Sequence, residues 1–414
     1  MSFIFAYCSS LKNINVFDYV INGVKNIEGM FFCYSSLEKL DFKRFNTSET
    51  TKMTGLFFKC KILKELNISN FNTNKVSDIM LMFGGCESLT YLDLSNFDTH
   101  NVTEMSEMFF ECTSLTELNL TSFNTSNVIN MSFMFYKCSK LKELNIDNFN
   151  TDKVTEMEGM FSNCKKLKEL NLSHFNTENV TNMHSMLEQC ESIKELNLSN
   201  FNNTKAMDMS YMFFDCRKLE ELNLSNFNTG NVKDMSFMFL DCRALEKLDL
   251  NSFNTIKVID MKYMFHKCWK LKELSLFNFN TKNVKDMSCM FHSCPKLERL
   301  DLSNFETENL IQMHSMFGYC PSLKYLNICK FKTNNIKNMR SLFYNCSSLV
   351  QLDLSNFNTD NVDNMDCMFY NCSSLRELNI YNFNFNNVKS CSELFCGCPK
   401  ELKTIIKVTN NNAN

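Results

Sequence analysis

The sequence predicts an α/β solenoid: a right-handed rod of about 16 coils of 26 residues, each with one short parallel strand and one short helix. Three observations predict it. A cysteine returns every 26 residues, at Cys60, Cys86, Cys112, Cys138, Cys164, Cys190, Cys216, Cys242 and on to Cys398. A Met-Phe pair precedes it, as at Met134-Phe135, and an alternating apolar run follows, as at Leu141, Leu144 and Ile146. The register also runs back through Tyr34 to Cys8, which makes sixteen slots, fifteen of them cysteine. A fixed period of this length stacks one unit on copies of itself and leaves no single deep core.

From the N-terminus, the first coil over 1–26 is degenerate: Val16, Tyr19 and Val24 replace the usual Leu, Phe and Val. Phe5, Cys8 and Leu11 already fall in core columns. The stretch Met1 to Cys8 has no basic n-region and carries bulky Tyr7 before the cysteine, so it reads as core and not as a leader. On that reading the location is left open between the cytoplasm, for the chain as it stands, and the cell surface, if a leader is missing. One unbroken solenoid is expected over 1–408, with 399–408 a C-terminal capping strand and 409–414 a frayed polar tail.

Residues 128 to 153 illustrate one coil. Val128, Met131, Met134, Phe135, Cys138 and Leu141 lie three or four apart, the spacing of one helical face. Ser132 is placed to cap that helix, as are Ser106, Ser210, Ser236 and Ser288. After Leu141 the period becomes two: Leu144 and Ile146 point inward, Glu143 and Asn145 outward, as in a strand. Asn148-Phe149-Asn150-Thr151 then supplies a turn around a buried Phe. Phe71, Phe97, Phe123 and their equivalents to Phe383 are expected to form an internal ladder.

The pattern L-x-x-L-N-L-S-N-F-N-T-x-N-V-x-x-M-S-x-M-F-x-x-C, seen at Leu219 to Cys242, resembles the BspA-like leucine-rich repeat proteins. It is most similar to their 26-residue branch, found in surface proteins of host-associated bacteria and some protists. The resemblance covers nearly the whole chain. It implies a leucine-rich-repeat solenoid, cell-surface display, and adhesion or protein binding, and it brings no catalytic residues.

Composition narrows the function further. With 46 acidic and 43 basic side chains, a net charge of −3 and no basic patch, nucleic acid is not an expected partner. No apolar run reaches the length of a membrane helix. The column cysteines close an apolar face, and equivalent Cβ atoms lie near the ~4.8 Å coil spacing, beyond what a disulfide wants, so buried free thiols are expected. His266 and His292 stand near Cys268 and Cys294, a zinc-like inventory, but both cysteines belong to the core column and no metal is expected. Calcium needs more converging oxygens than the scattered Asp residues offer. The Met pairs read as core packing. The Thr column, Thr73 to Thr281, fits turn chemistry better than an ice-binding array. No nucleophile–base–acid set or phosphate loop interrupts the repeat, so no enzyme and no cofactor are expected.

The expected function is a non-catalytic binding or adhesion scaffold that offers its strand face to a protein or peptide. The candidate contact face comprises Glu143, Asn145, Glu169, Asn171, Glu195, Asn197, Glu221 and Asn223. Positions that break the consensus join it: Asn203, Lys205, Trp269, Tyr325 and Asn327. Stacked amides of the Asn column are expected to bond along the ladder. The alternative is a structural or coat component that self-associates through the solenoid ends and acts by avidity.

Overall fold

The computed structural model describes residues 1–8, 23–42 and 45–406. Leu11, Val16 and Tyr19, the end of the capping strand at 407–408 and the tail 409–414 lie outside the described residues. The chain divides into two compact units, Met1–Ala206 with Met212–Asn226, and Met207–Tyr211 with Phe227–Asn414. Each is a stack of coils in parallel β-solenoid arrangement, about 14 turns in all. The expected count of sixteen coils is not met.

The strand segments are short. Unit one holds β1 (Lys39–Asp41), β2 (Glu65–Asn67), β3 (Tyr91–Asp93), β4 (Glu117–Asn119), β5 (Glu195–Asn197) and β6 (Glu221–Asn223). Unit two holds β7 (Arg299–Asp301), β8 (Tyr325–Asn327), β9 (Gln351–Asp353), β10 (Glu377–Asn379) and β11 (Lys403–Ile405). Every pairing is parallel and in 26-residue register, as in Leu196 beside Leu222 and Leu378 beside Thr404. From β1 to β10 the middle residue is the inward Leu and the first residue is exposed, the period-two pattern at work, whereas β11 is exposed throughout. A second file of parallel bridges runs down another side, from Asn26 to Asn182 in unit one and from Asp208 to Gln312 in unit two.

The predicted helix is absent: among the described residues there is none. The stretch Met131 to Cys138 is a run of tight turns whose N–H groups alternate in direction. Met134, Tyr136 and Cys138 donate to the carbonyls three residues back, at 3.3, 3.0 and 3.0 Å. Met131, Phe133, Phe135 and Lys137 donate instead to Glu156, Glu158, Met160 and Ser162 of the next coil, at 2.7–3.0 Å. Phe133 and Lys137 adopt left-handed φ of 55° and 58°, and the same two columns do so in coil after coil. A left-handed residue every fourth position stops helix propagation.

The spacing misled because three-residue turns also return apolar side chains to one face every third or fourth residue. Geometry explains the choice. A helix is about 10 Å across, twice the ~4.8 Å between adjacent strands, so stacked helices splay coils that stacked turns keep in register. The serines do not cap helices either. Their own N–H groups are received by the side chain two residues earlier, as in Ser132 N to Asn130 Oδ1 at 2.9 Å and Ser236 N to Asp234 Oδ1 at 2.8 Å.

Inside, the apolar columns form continuous files. Val128, Met131, Met134, Phe135, Cys138 and Leu141 are all 0% exposed. Full burial of each such side chain contributes roughly 1.5–3 kcal/mol. Of the two buried Phe files the tighter is the Met-Phe one: Phe57, Phe83, Phe109, Phe135 and Phe161 stack at 5.6–5.8 Å. In unit two, Phe239 through Phe395 stack at 5.3–5.9 Å. The expected Asn-Phe-Asn file also stacks, more loosely, as in Phe253–Phe279 at 6.3 Å and Phe331–Phe357 at 6.4 Å.

Candidate functional site

Two faces present side chains to solvent in repeated register, and the strand face holds most of the predicted contact residues. Glu143, Glu169, Glu195 and Glu221 are exposed, as are Asn145, Asn171, Asn197 and Asn223. In unit one the Glu column runs without a break from Glu117 through Glu221, and Glu195 lies directly beside Glu221 across β5 and β6. Like charges placed so do not stabilise a sheet. The Asn column does not form the expected amide ladder. Each Oδ1 instead accepts the N–H two residues on, closing a turn: Asp147 N to Asn145, Ser199 N to Asn197 and Ser225 N to Asn223, all at 3.1 Å. Asn side chains bond their own backbone in this way wherever a strand must turn.

The consensus-breaking residues separate. Lys205 is exposed and donates to Asn179 Oδ1 at 2.7 Å. Tyr325 is exposed on the strand face with the Arg299 guanidinium 3.8 Å over its ring, and Asn327 beside it is half-buried. Trp269 is exposed but sits at the corner before Leu271, covered on one side by Arg243 at 4.2 Å. Asp241 holds that arginine in a bidentate pair at 2.7 and 2.8 Å. Asn203 is corrected: it is 0% exposed, occupies the Thr column and accepts from Thr177 Oγ1 at 2.8 Å. A buried side chain is not a contact residue.

Reading columns one at a time missed Phe277. It is 69% exposed on the strand face of unit two, in a column that elsewhere holds Ser225, Asn251 and Ser303. It lines an open groove with Ser275, Asp249 and Asp301. The signal was in the sequence, since an aromatic between Asn251 and Ser303, in a column that among the described residues holds another only at Tyr381, departs from consensus as clearly as Tyr325 does.

The Thr column is no surface array. Thr125 Oγ1 donates to the Asn150 carbonyl at 2.8 Å and accepts from the Asn150 N–H at 2.7 Å, clamping one coil to the next. Thr73, Thr99, Thr229 and Thr255 repeat the clamp and are at most 2% exposed. The column thiols are buried likewise. Cys138 Sγ donates to the Phe109 carbonyl of the preceding coil at 3.3 Å, and burial pushes Cys112 and Cys164 up to about 12. Cys329, Cys391 and Cys396 are exposed.

His266 and His292 stack at 5.0 Å on the turn face. Burial lowers both to about 4, aided in His266 by His292. Cys268 and Cys294 turn away from them to bond backbone carbonyls at 3.2 and 3.1 Å. No cluster of His, Cys, Asp or Glu able to hold a metal ion occurs among the described residues. No helix there is long and apolar enough to cross a membrane.

No curated protein matches the chain. Several solved structures are similar at low identity. A leucine rich cell surface protein of Faecalibacterium prausnitzii is 18% identical, with 75% of this chain and 78% of that one covered and a TM-score of 0.34. A leucine-rich repeat protein of Bacteroides ovatus is 17% identical over 86% of this chain and 87% of that one, with a TM-score of 0.36. Another from Eubacterium ventriosum is 13% identical over 78% and 89%, with a TM-score of 0.32. A family profile described as Mycoplasma protein of unknown function, DUF285, matches residues 1–118, 51–171, 82–199, 137–247, 188–300 and 290–408. These overlapping matches together span residues 1–408, and the chain belongs to the DUF285 family.

Proposed function

We propose that the chain is a non-catalytic binding or adhesion scaffold whose strand face takes a protein or extended peptide. The observation that carries this reading is the division of labour among its polar groups. Thr side chains are consumed in fixing coils to one another, whereas Glu and Lys of the strand face stand exposed in ordered files. The Glu file of unit one does nothing for the sheet it decorates. Such a surface offers an extended partner the same pair of charges, from Lys142 and Glu143 to Lys194 and Glu195, once per coil. Exposed aromatics with arginine partners, Tyr325 above all, add anchors of the kind enriched in binding hot spots. The family resemblance supports display at a cell surface.

Peptides selected from a random extended library for binding the full chain provide the test. A triple variant Glu169→Lys, Glu195→Lys and Glu221→Lys is expected to weaken them about tenfold or more, roughly 1.4 kcal/mol. Reversing three exposed charges on the turn side serves as control. Equal loss in both variants, or none in the first, defeats the strand-face reading. Concentration-dependent assembly of the unliganded chain in light scattering instead favours self-association.

A further inference from the structure

The turn face of unit one carries a concave corner that the strand-face reading does not use. The Phe133 and Tyr136 rings meet edge to face, with centroids 5.7 Å apart and planes at 88°. Phe110 backs Tyr136 in a parallel stack at 4.9 Å. Beyond this corner the next coil supplies only Gly159 and Ser162 in the same two columns. A Cβ at Gly159 meets Phe133 Cε1 at 2.4 Å, so glycine is what lets the ring lie down there. The result is a groove of about 340 Å³ whose walls also include Glu107, Glu158 and Glu188.

We infer that this corner binds an organic ammonium cation, seated on the Phe133 and Tyr136 rings and compensated by the three carboxylates. Aromatic faces attract cations within about 6 Å of the centroid, and best where water is excluded. Two of the carboxylates accept from neutral donors, Asn182 Nδ2 to Glu158 at 2.9 Å and Ser162 Oγ to Glu188 at 3.2 Å, and His184 lines the same groove. Glu107 is half-buried, and burial followed by repulsion from Glu104 raises its pKa. Among the described residues no lysine or arginine pairs with any of the three. Lys137 stands 5.1 Å from the Tyr136 centroid, which shows the ring accepting a cation, but Glu111 binds that lysine at 2.7 Å. A metal ion does not fit, because no three such ligands converge. An alkylated ammonium, large, weakly hydrated and apolar at its rim, fits both rings and carboxylates.

Titration of the full chain, followed by calorimetry and by aromatic proton shifts, tests this with three probes. They are tetramethylammonium chloride, its neutral isostere neopentyl alcohol, and Nα-acetyl-lysine methylamide, with sodium chloride holding ionic strength. Saturable binding of an ammonium probe is expected, with at least about tenfold loss in Glu107→Gln and in Tyr136→Leu. Preference for tetramethylammonium identifies a quaternary headgroup as the source, and preference for the lysine amide a lysyl side chain. No saturation by either cation, equal binding of the alcohol, or full binding in Glu107→Gln overturns the assignment. Glu107→Gln removes only a charge from a partly exposed site, so the test survives if Tyr136→Leu does not fold.

Discussion

At the residue scale, cohesion between coils rests on small side chains that bond in both directions. Thr255 Oγ1 donates to the Asn280 carbonyl at 2.9 Å and receives the Asn280 N–H at 2.7 Å. Thr255 is 1% exposed and both contacts are partly buried, so removing the hydroxyl leaves the Asn280 N–H without its acceptor. Thr255→Val is therefore expected to destabilise the chain by about 1–3 kcal/mol, and Thr255→Ser to retain most of the stability. Urea denaturation of the two variants measures the difference. The stacked imidazoles give a second residue-level expectation. His266 and His292 are lowered to about 4 by burial, against an ordinary value of 6.5. Between those values the unfolded chain binds protons that the folded chain refuses, so stability is lost as pH falls from 6.5 towards 4. Replacing both with Phe should flatten that limb of a melting-temperature profile.

At the element scale, the absence of a helix has a direct test. Lys267 has φ of 59° in the second left-handed column, and its side chain is exposed. In a helix, Lys267→Gly costs about 1 kcal/mol. In the turn observed, glycine relieves a left-handed strain of roughly 1–2 kcal/mol against an entropic loss of about 0.5–1, so the variant should be neutral or slightly more stable. A clear loss of stability in chemical denaturation would restore the helix. The same element marks how far the sequence could be read. The strand, its inward Leu column and the buried Phe of Asn-Phe-Asn were legible because period two has one structural meaning. The spacing from Val128 to Leu141 has two, helix or stacked turns, and Ser132, the cap candidate in it, fits a turn as well as a helix start. That ambiguity also hid the Phe133–Tyr136 corner, since a helix separates residues three apart by most of a turn along its axis and does not fold them into a right angle. On the strand face, the exposure of Glu143 to Asn223 was legible from alternation alone. Asn203 was misplaced because its departure from consensus was visible and its burial was not.

At the scale of the whole molecule, repetition multiplies effects that are small in one coil. Buried thiols recur through both units, with Cys112, Cys164, Cys216, Cys320 and Cys372 each raised to about 12 by burial from an ordinary value of 9. Above pH 9 the unfolded chain releases these protons while the folded chain retains them, so stability should fall with rising pH and fall steeply, one thiol adding to the next. Replacing one column cysteine with Ala should soften that alkaline limb by a single proton's worth in a pH-resolved melting series. With the histidine limb below 6.5, maximal stability is expected between about pH 6.5 and 9.

The bonds that join coils all reach 24 to 29 residues along the chain, whether by backbone, Thr hydroxyl or Cys thiol. Nothing that binds one coil to its neighbour depends on how many others there are. Length is therefore quantised. Excising residues 263–288 from unit two should leave a chain that still folds cooperatively by circular dichroism, because each surviving group meets the same partner type. Removing one residue fewer, 263–287, sets Met290 against Phe239 and Cys294 against Arg243 at the junction, so the coils on its two sides no longer match. A gene of this kind is free to lengthen or shorten in steps of 78 nucleotides, about three per codon over 26 codons, and is penalised for any other step.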